Sequence, residues 1–107
     1  MKHKFFAKKC ETDGIKFPSK LERDYYLFLK RMKESGSVLF FLRQIPFLLP
    51  GGVTYRLDYL VFYAPNKEEL GDIEFVEVKG YMTKDAAIKI KQTEDLYGIK
   101  IKIITKV

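Results

Sequence analysis

One cysteine and one histidine in 107 residues is very little, and the scarcity removes several kinds of chemistry at once. A lone Cys10 forms no intramolecular disulfide and no cysteine-rich zinc site, and as a nucleophile it would have only His3 for a partner. Cys10 therefore reads as a small, mostly buried apolar residue, and His3 as a solvated member of a basic arm. Any metal site here must be built from oxygen ligands, which points to magnesium or manganese rather than zinc. Long apolar runs are also missing. The longest, Val38 to Leu49, is broken by Arg43, Gln44 and Pro46, and falls well short of the roughly 20 apolar residues of a membrane span. No membrane partner is expected. The basic start of the chain has no apolar segment of the signal-peptide kind, so a cytoplasmic location is expected. With no repeat, low-complexity segment or linker, the chain reads as a single domain over 1–107, with 1–18 a basic arm and hairpin and 19–107 the core.

What is present is charge and aromatic bulk. Lysine and arginine number 20 against 14 aspartate and glutamate, a net charge of +6 that favours an anionic partner, and the basic residues cluster at Lys2-His3-Lys4, Lys8-Lys9, Lys30-Arg31-Lys33 and from Lys84 to Lys91. Apolar content of 47% beside 32% charged residues is that of a globular chain with a core, not of a disordered one.

Turn and cap residues divide the chain into elements. Asp13-Gly14 between two short extended runs predicts a small hairpin, which Pro18-Ser19 ends. Ser19 with Glu22 three residues on forms a capping-box pattern, and Gly36 supplies a stop, so 20–35 reads as a helix with Leu21, Tyr25, Phe28, Leu29 and Met32 inward and Glu22 at the margin of that face. Residues 38–48 read as a strand, Pro50-Gly51-Gly52 as a hairpin loop, 53–63 as a second strand and 72–79 as a third. Thr83 caps a second helix running to about Leu96, with Ala86, Ala87, Ile90 and Tyr97 inward and Lys84, Lys89 and Lys91 outward or at the flank; Gly98 ends it. Ile99, Ile101 and Ile103 then alternate with Lys100 and Lys102 in a last strand. The order α-β-β-β-α-β predicts an α/β fold with a mixed four-stranded sheet and flanking helices, because a crossover helix returns the chain to a parallel neighbour.

Chemistry concentrates in Phe75-Val76-Glu77-Val78-Lys79-Gly80. Strand periodicity puts Glu77 and Lys79 on one face of an otherwise apolar run, and the plain reading is an ion pair near the sheet edge. A second acid changes the weighing. Asp58 sits alone in the aromatic run from Tyr55 to Tyr63, where an acid is costly unless paired or metal-bound. Antiparallel pairing of 54–63 with 72–79 brings Asp58 beside Glu77 and Lys79. Two close carboxylates are tolerated chiefly when a divalent cation lies between them, and such a cation polarises a phosphoryl oxygen and activates water. The set fits phosphodiester hydrolysis. Glu22 has two readings: the acid of its capping box, or a further acid aimed at the strand ends.

Asp58, an interval, then Glu77-Val78-Lys79, with Glu22 on the preceding helix, resembles the PD-(D/E)XK nuclease superfamily, with Leu57 where its signature has proline. The runs Asp13-Gly14-Ile15-Lys16-Phe17 and Ser19-Lys20-Leu21-Glu22, the segment Gln44-Ile45-Pro46-Phe47, and Glu77-Val78-Lys79-Gly80 followed by Thr83-Lys84 resemble small phage-encoded endonucleases related to Holliday-junction resolvases. The resemblance implies a restriction-endonuclease-like fold and Mg2+, with Mn2+ able to substitute, held by Asp58, Glu77 and the Val78 backbone carbonyl. It implies that Lys79 orients the attacking water or stabilises charge on the phosphate, and that Glu22 holds a metal-bound water or a second ion. Gln44 would line the site, or be a hydrogen-bonding strand residue. Lys8, Lys9, Lys84, Lys89 and Lys91 would contact DNA phosphates, or form solvated faces. The implied substrate is DNA, branched or four-way junctions favoured over plain duplex, in the cytoplasm of a bacterial host. A homodimer would supply two coordinated cuts, with Phe5-Phe6, strand 59–63 and Ile88 as apolar surface for it. The alternative is a DNA- or protein-binding module that keeps the fold without turnover, which leaves the acids without a use.

Overall fold

Asp13 and Gly14 both take left-handed backbone angles, φ 54° and 76°, and close a two-residue turn between β1 (Cys10–Thr12) and β2 (Ile15–Phe17). The computed structural model describes residues 9–67 and 70–107; Lys2, His3, Lys4, Phe5, Phe6 and Lys8 of the basic arm lie outside them. Cys10 is half-buried rather than a core residue. Helix α1 (Lys20–Glu34) begins where the Ser19 hydroxyl accepts the Glu22 N–H at 3.0 Å. The hairpin is tied to this helix through Asp13, whose carboxylate accepts from the Tyr26 hydroxyl at 2.9 Å and from Lys30 at 2.6 Å.

Four further strands follow: β3 (Val38–Leu49), β4 (Val53–Tyr63) after a short 3-10 turn, β5 (Ile73–Val78), and β6 (Ile101–Ile104) after helix α2 (Lys84–Tyr97). They lie in the order β3-β4-β5-β6, antiparallel at the first two junctions and parallel at the third. The fold is α/β, a mixed four-stranded sheet with two helices, as the element order predicts. Gly71 ends the loop into β5 so close to β4 that a Cβ there would stand 1.9 Å from the Tyr63 carbonyl oxygen.

The sheet has two cores, and the way they divide positions the site. Tyr59 and Val61 pack with Tyr25 and Leu29 of α1, whereas Tyr55 and Leu57, at the same strand parity, pack with Ile90 of α2. On β3, Phe41 joins the first cluster and Ile45 and Phe47 the second. The faces exchange between them. At that point the β3–β4 ladder passes from Arg43↔Tyr59 to Ile45↔Leu57 without pairing Gln44 to Asp58, and Gln44 has φ 56°. A left-handed residue inside a strand rotates the side chains that follow it, at a local cost of about 1–2 kcal/mol. Leu57, which pairs with Ile45 just beyond the exchange, is wholly enclosed, and its burial contributes about 1.5–3 kcal/mol.

Several inward assignments differ from the sequence pattern. On α2 it is Ile90 and Thr93 that are buried, while Ala87 and Tyr97 are exposed. Thr93 tolerates full burial because its hydroxyl donates to the Lys89 carbonyl one turn back, and Tyr97 reaches sideways to the Leu48 carbonyl at 2.7 Å. Ile103 is exposed on the edge strand β6. Tyr59 and Val61 are core, so the aromatic strand offers only Leu60, Phe62 and Tyr63 toward any partner, with Phe62 stacked on Phe40 at 4.3 Å; Ile88 is exposed. No helix among the described residues is long and apolar enough to cross a membrane.

Candidate active site

The antiparallel ladder between β4 and β5 runs from Phe62↔Ile73 to Tyr59↔Val76 and stops. Beyond that rung the Asp58 carboxylate takes the place of a backbone acceptor, receiving the Val78 N–H at 2.8 Å. On its other side β5 stays joined to β6, with the Lys79 N–H donating to the Ile104 carbonyl at 3.0 Å. A fork therefore opens between β4 and β5, and Asp58 and Glu77 stand at it.

Tyr55, Lys79 and Gln44 contact these acids directly. Glu77 accepts from the Tyr55 hydroxyl on Oε1 at 2.5 Å, and its Oε2 lies 3.5 Å from Lys79 Nζ. Glu22 Oε2 accepts from Arg43 at 3.1 Å and from Gln44 Nε2 at 3.3 Å, and the same Gln44 nitrogen lies 3.5 Å from Asp58 Oδ1. Gln44 thus bridges the helix acid to the strand acid. The Tyr59 hydroxyl pins the start of α1 to the sheet by donating to the Glu22 backbone carbonyl at 3.0 Å. Arg43 is held over the Phe17 ring at 4.6 Å and near Tyr59, with its Nε enclosed and unpartnered among the described residues.

This geometry separates the two readings of Glu22. The Ser19 half of the capping box is present, but the Glu22 carboxylate is turned into the site toward Arg43 and Gln44 instead of back to the Ser19 amide. Glu22 and Glu77 are each only 3% exposed and Asp58 9%. Burial, followed by the charge of Asp58, pushes Glu77 up to about 7. Burial is also the main cause that raises Asp58, opposed by the Val78 N–H and Lys79, and it raises Glu22 with Asp58 adding to the shift. Three buried carboxyls face two cationic side chains, so full ionisation leaves negative charge uncompensated. Burial and the bond to Glu77 lift the Tyr55 hydroxyl far above a tyrosine's ordinary value, which keeps it a donor.

Residues 2–107 match the family described as protein of unknown function (DUF1064). The chain belongs to that family. No curated protein and no solved structure matches it. The DUF1064 description assigns no chemistry, so the chemistry is read from the donor set. The site offers hard oxygen donors on buried, mutually repelling carboxyls, which suits a divalent cation of the magnesium type. Among the described residues no three Asp, Glu, His or Cys side chains gather to ligate one ion. Asp58 and Glu77 are the carboxyls at the fork that could contribute to such a site, with backbone and water oxygens completing a shell of the kind magnesium accepts.

Of the residues singled out in the sequence, Glu22, Gln44, Asp58, Glu77, Val78 and Lys79 are brought together. Lys9, Lys84, Lys89 and Lys91 are exposed, and none touches these carboxylates; Lys8 lies outside the described residues. The sequence pattern missed Tyr55 and Arg43. Tyr55 is three residues from Asp58, so strict alternation sends the two to opposite faces, and the exchange of faces along β4 between Leu57 and Tyr59 brings the hydroxyl to the fork. Arg43 did carry a signal, as a lone cation in an apolar strand.

Proposed function

We propose that the chain is a metal-dependent DNA endonuclease with a restriction-endonuclease-like fold, hydrolysing phosphodiester bonds at the β4–β5 fork. The observation that carries the reading is the meeting of Asp58, Glu77 and Lys79 at the point where the ladder stops, with Glu22 joined to Asp58 through Gln44. Asp58, Glu77 and the Val78 carbonyl would hold Mg2+, or Mn2+ in its place, with Glu22 acting through water. The bound ion would supply Lewis acidity toward a phosphoryl oxygen. The chain's own residues do the rest. Lys79, half-exposed beside Glu77, orients the attacking water and stabilises negative charge developing on the phosphate. Gln44 and Arg43 fix the Glu22 carboxylate, and Val78 fixes that of Asp58. The net charge of +6 draws DNA to the protein, with Lys9 and the α2 lysines as phosphate contacts.

One such site cuts one strand. Resolution of a four-way junction requires two symmetric cuts, so the branched-DNA form of the proposal carries a two-fold homodimer with it. The test is incubation of homogeneous protein with supercoiled plasmid, linear duplex and a four-way junction, with Mg2+, with Mn2+ and with chelator. Cleavage in either metal, abolished by chelator and strongest on the junction, is the expected result. Absence of cleavage on all three substrates in both metals overturns the endonuclease reading; equal cleavage of linear duplex overturns the junction preference alone.

A further inference from the structure

The Tyr55 hydroxyl reaches Glu77 at a place where no backbone ladder joins their strands. The last β4–β5 rung is Tyr59↔Val76, so beyond it the position of Glu77 relative to β4 depends on side chains. Tyr55 itself is firmly held. Its ring is buried in the second core against Leu57 and Ile90, with Phe47 at 6.4 Å between centroids. From that anchor the hydroxyl occupies Glu77 Oε1, leaving Oε2 as the oxygen that faces Lys79. A carboxylate turns readily about its last torsion, and a donor on one oxygen fixes where the other points.

We propose that Tyr55 is a positioning residue that locks the Glu77 carboxylate so that Oε2 is presented to a cation at the β4–β5 fork. The proposal rests on the endonuclease reading above. Its action is indirect: Tyr55 acts through Glu77 and is assigned no contact with DNA. Outer partners of this kind set the orientation of a ligating group, and their loss commonly weakens metal affinity by about 10- to 100-fold.

The protein contains its own control. Near the other end of the same two strands, the Tyr63 hydroxyl donates to Glu74 at 2.7 Å, and Lys102 lies 3.4 Å from that carboxylate. This second tyrosine–glutamate–lysine group repeats the bonding of Tyr55, Glu77 and Lys79 away from Asp58. Tyr55→Phe and Tyr63→Phe therefore remove the same kind of bond while keeping both rings.

The experiment measures Mn2+ binding by electron paramagnetic resonance on wild type and both variants, with melting curves alongside, and the Mg2+ dependence of plasmid cleavage. Tyr55→Phe is expected to weaken Mn2+ binding by about tenfold or more and to shift the Mg2+ requirement equally, with the rate at saturating metal much less affected. Tyr63→Phe is expected to stay within about twofold of wild type on both. Unchanged Mn2+ affinity in Tyr55→Phe overturns the assignment, and so does an equal loss in both variants, which is the mark of general loosening. Wild-type protein that neither binds Mn2+ nor cleaves fails at the endonuclease reading itself.

Discussion

Asp58 accepts the backbone N–H of Val78 at 2.8 Å, across the first gap in the β4–β5 ladder. A single carboxylate oxygen thereby performs the work of a strand carbonyl while its partner oxygen faces Gln44. The bond explains how an acid is accommodated at 9% exposure in a strand of aromatic and branched residues. It also couples the two strands at the point where Glu77 and Lys79 follow.

Stability should respond to pH through these acids. Glu77 stands at about 7 in the folded protein against an ordinary 4.5, so the fold holds its proton more tightly than the unfolded chain does. Its contribution is fully present below about 4.5 and is lost as pH rises through about 7; the raised Asp58 and Glu22 act with the same sign. Without metal, Glu77→Gln is expected to melt several degrees above wild type at pH 8 and to lose that advantage near pH 4.5. Mg2+ at pH 8 should raise the wild-type melting temperature and leave the variant unmoved. Calorimetric melting across this range checks it, and a pH-independent difference contradicts it.

Glu22 and Ser19 should separate cleanly. Ser19→Ala removes the cap acceptor of α1, costing about 1 kcal/mol, and is expected to leave cleavage near wild type. Glu22→Gln leaves that cap intact and removes a charge that burial and Asp58 already disfavour, so its melting point is expected to change little while cleavage falls by an order of magnitude or more. Denaturant melts with parallel cleavage rates decide. Full activity in Glu22→Gln would return this residue to a structural role.

Gln44 offers a test of strain. Glycine adopts φ near 56° freely, so Gln44→Gly relieves about 1 kcal/mol while removing the amide between Glu22 and Asp58. Gln44→Ala loses the amide and keeps the strain. Glycine is expected to be the more stable of the two, the reverse of the usual order inside a strand, and both should lose most cleavage. Equal stability argues against the strain, and activity retained in either variant argues against the bridging role.

The element boundaries were legible because turn and cap residues mark them: Asp13-Gly14, Ser19, Pro50-Gly51-Gly52, Thr83 and Gly98 each stand where an element begins or ends. The adjacency of Asp58 to Glu77 and Lys79 followed from antiparallel pairing alone. What stayed hidden depends on departures from regular geometry. Alternation along β4 hides Tyr55 from Glu77, since nothing in the sequence announces that the faces exchange between Leu57 and Tyr59. The capping-box pattern, for its part, is satisfied by the Ser19 hydroxyl without the Glu22 carboxylate, so spacing alone leaves the direction of that side chain open. On α2, Thr93 is buried because a backbone carbonyl one turn back satisfies it, a contact that hydropathy does not register.

Asp58→Asn is the most direct test of the central claim, because asparagine keeps the size of the side chain and an oxygen to accept the Val78 N–H while removing the charge that a cation and a phosphate would both sense. Wild type and variant, prepared identically, are compared for single-turnover cleavage of a labelled four-way junction in Mg2+ and for junction binding at fixed salt in Ca2+. Cleavage is expected to fall by at least about a thousandfold, as it would if Asp58 ligates a catalytic cation, while binding is unchanged or tighter. Cleavage by Asp58→Asn at the wild-type rate would contradict it.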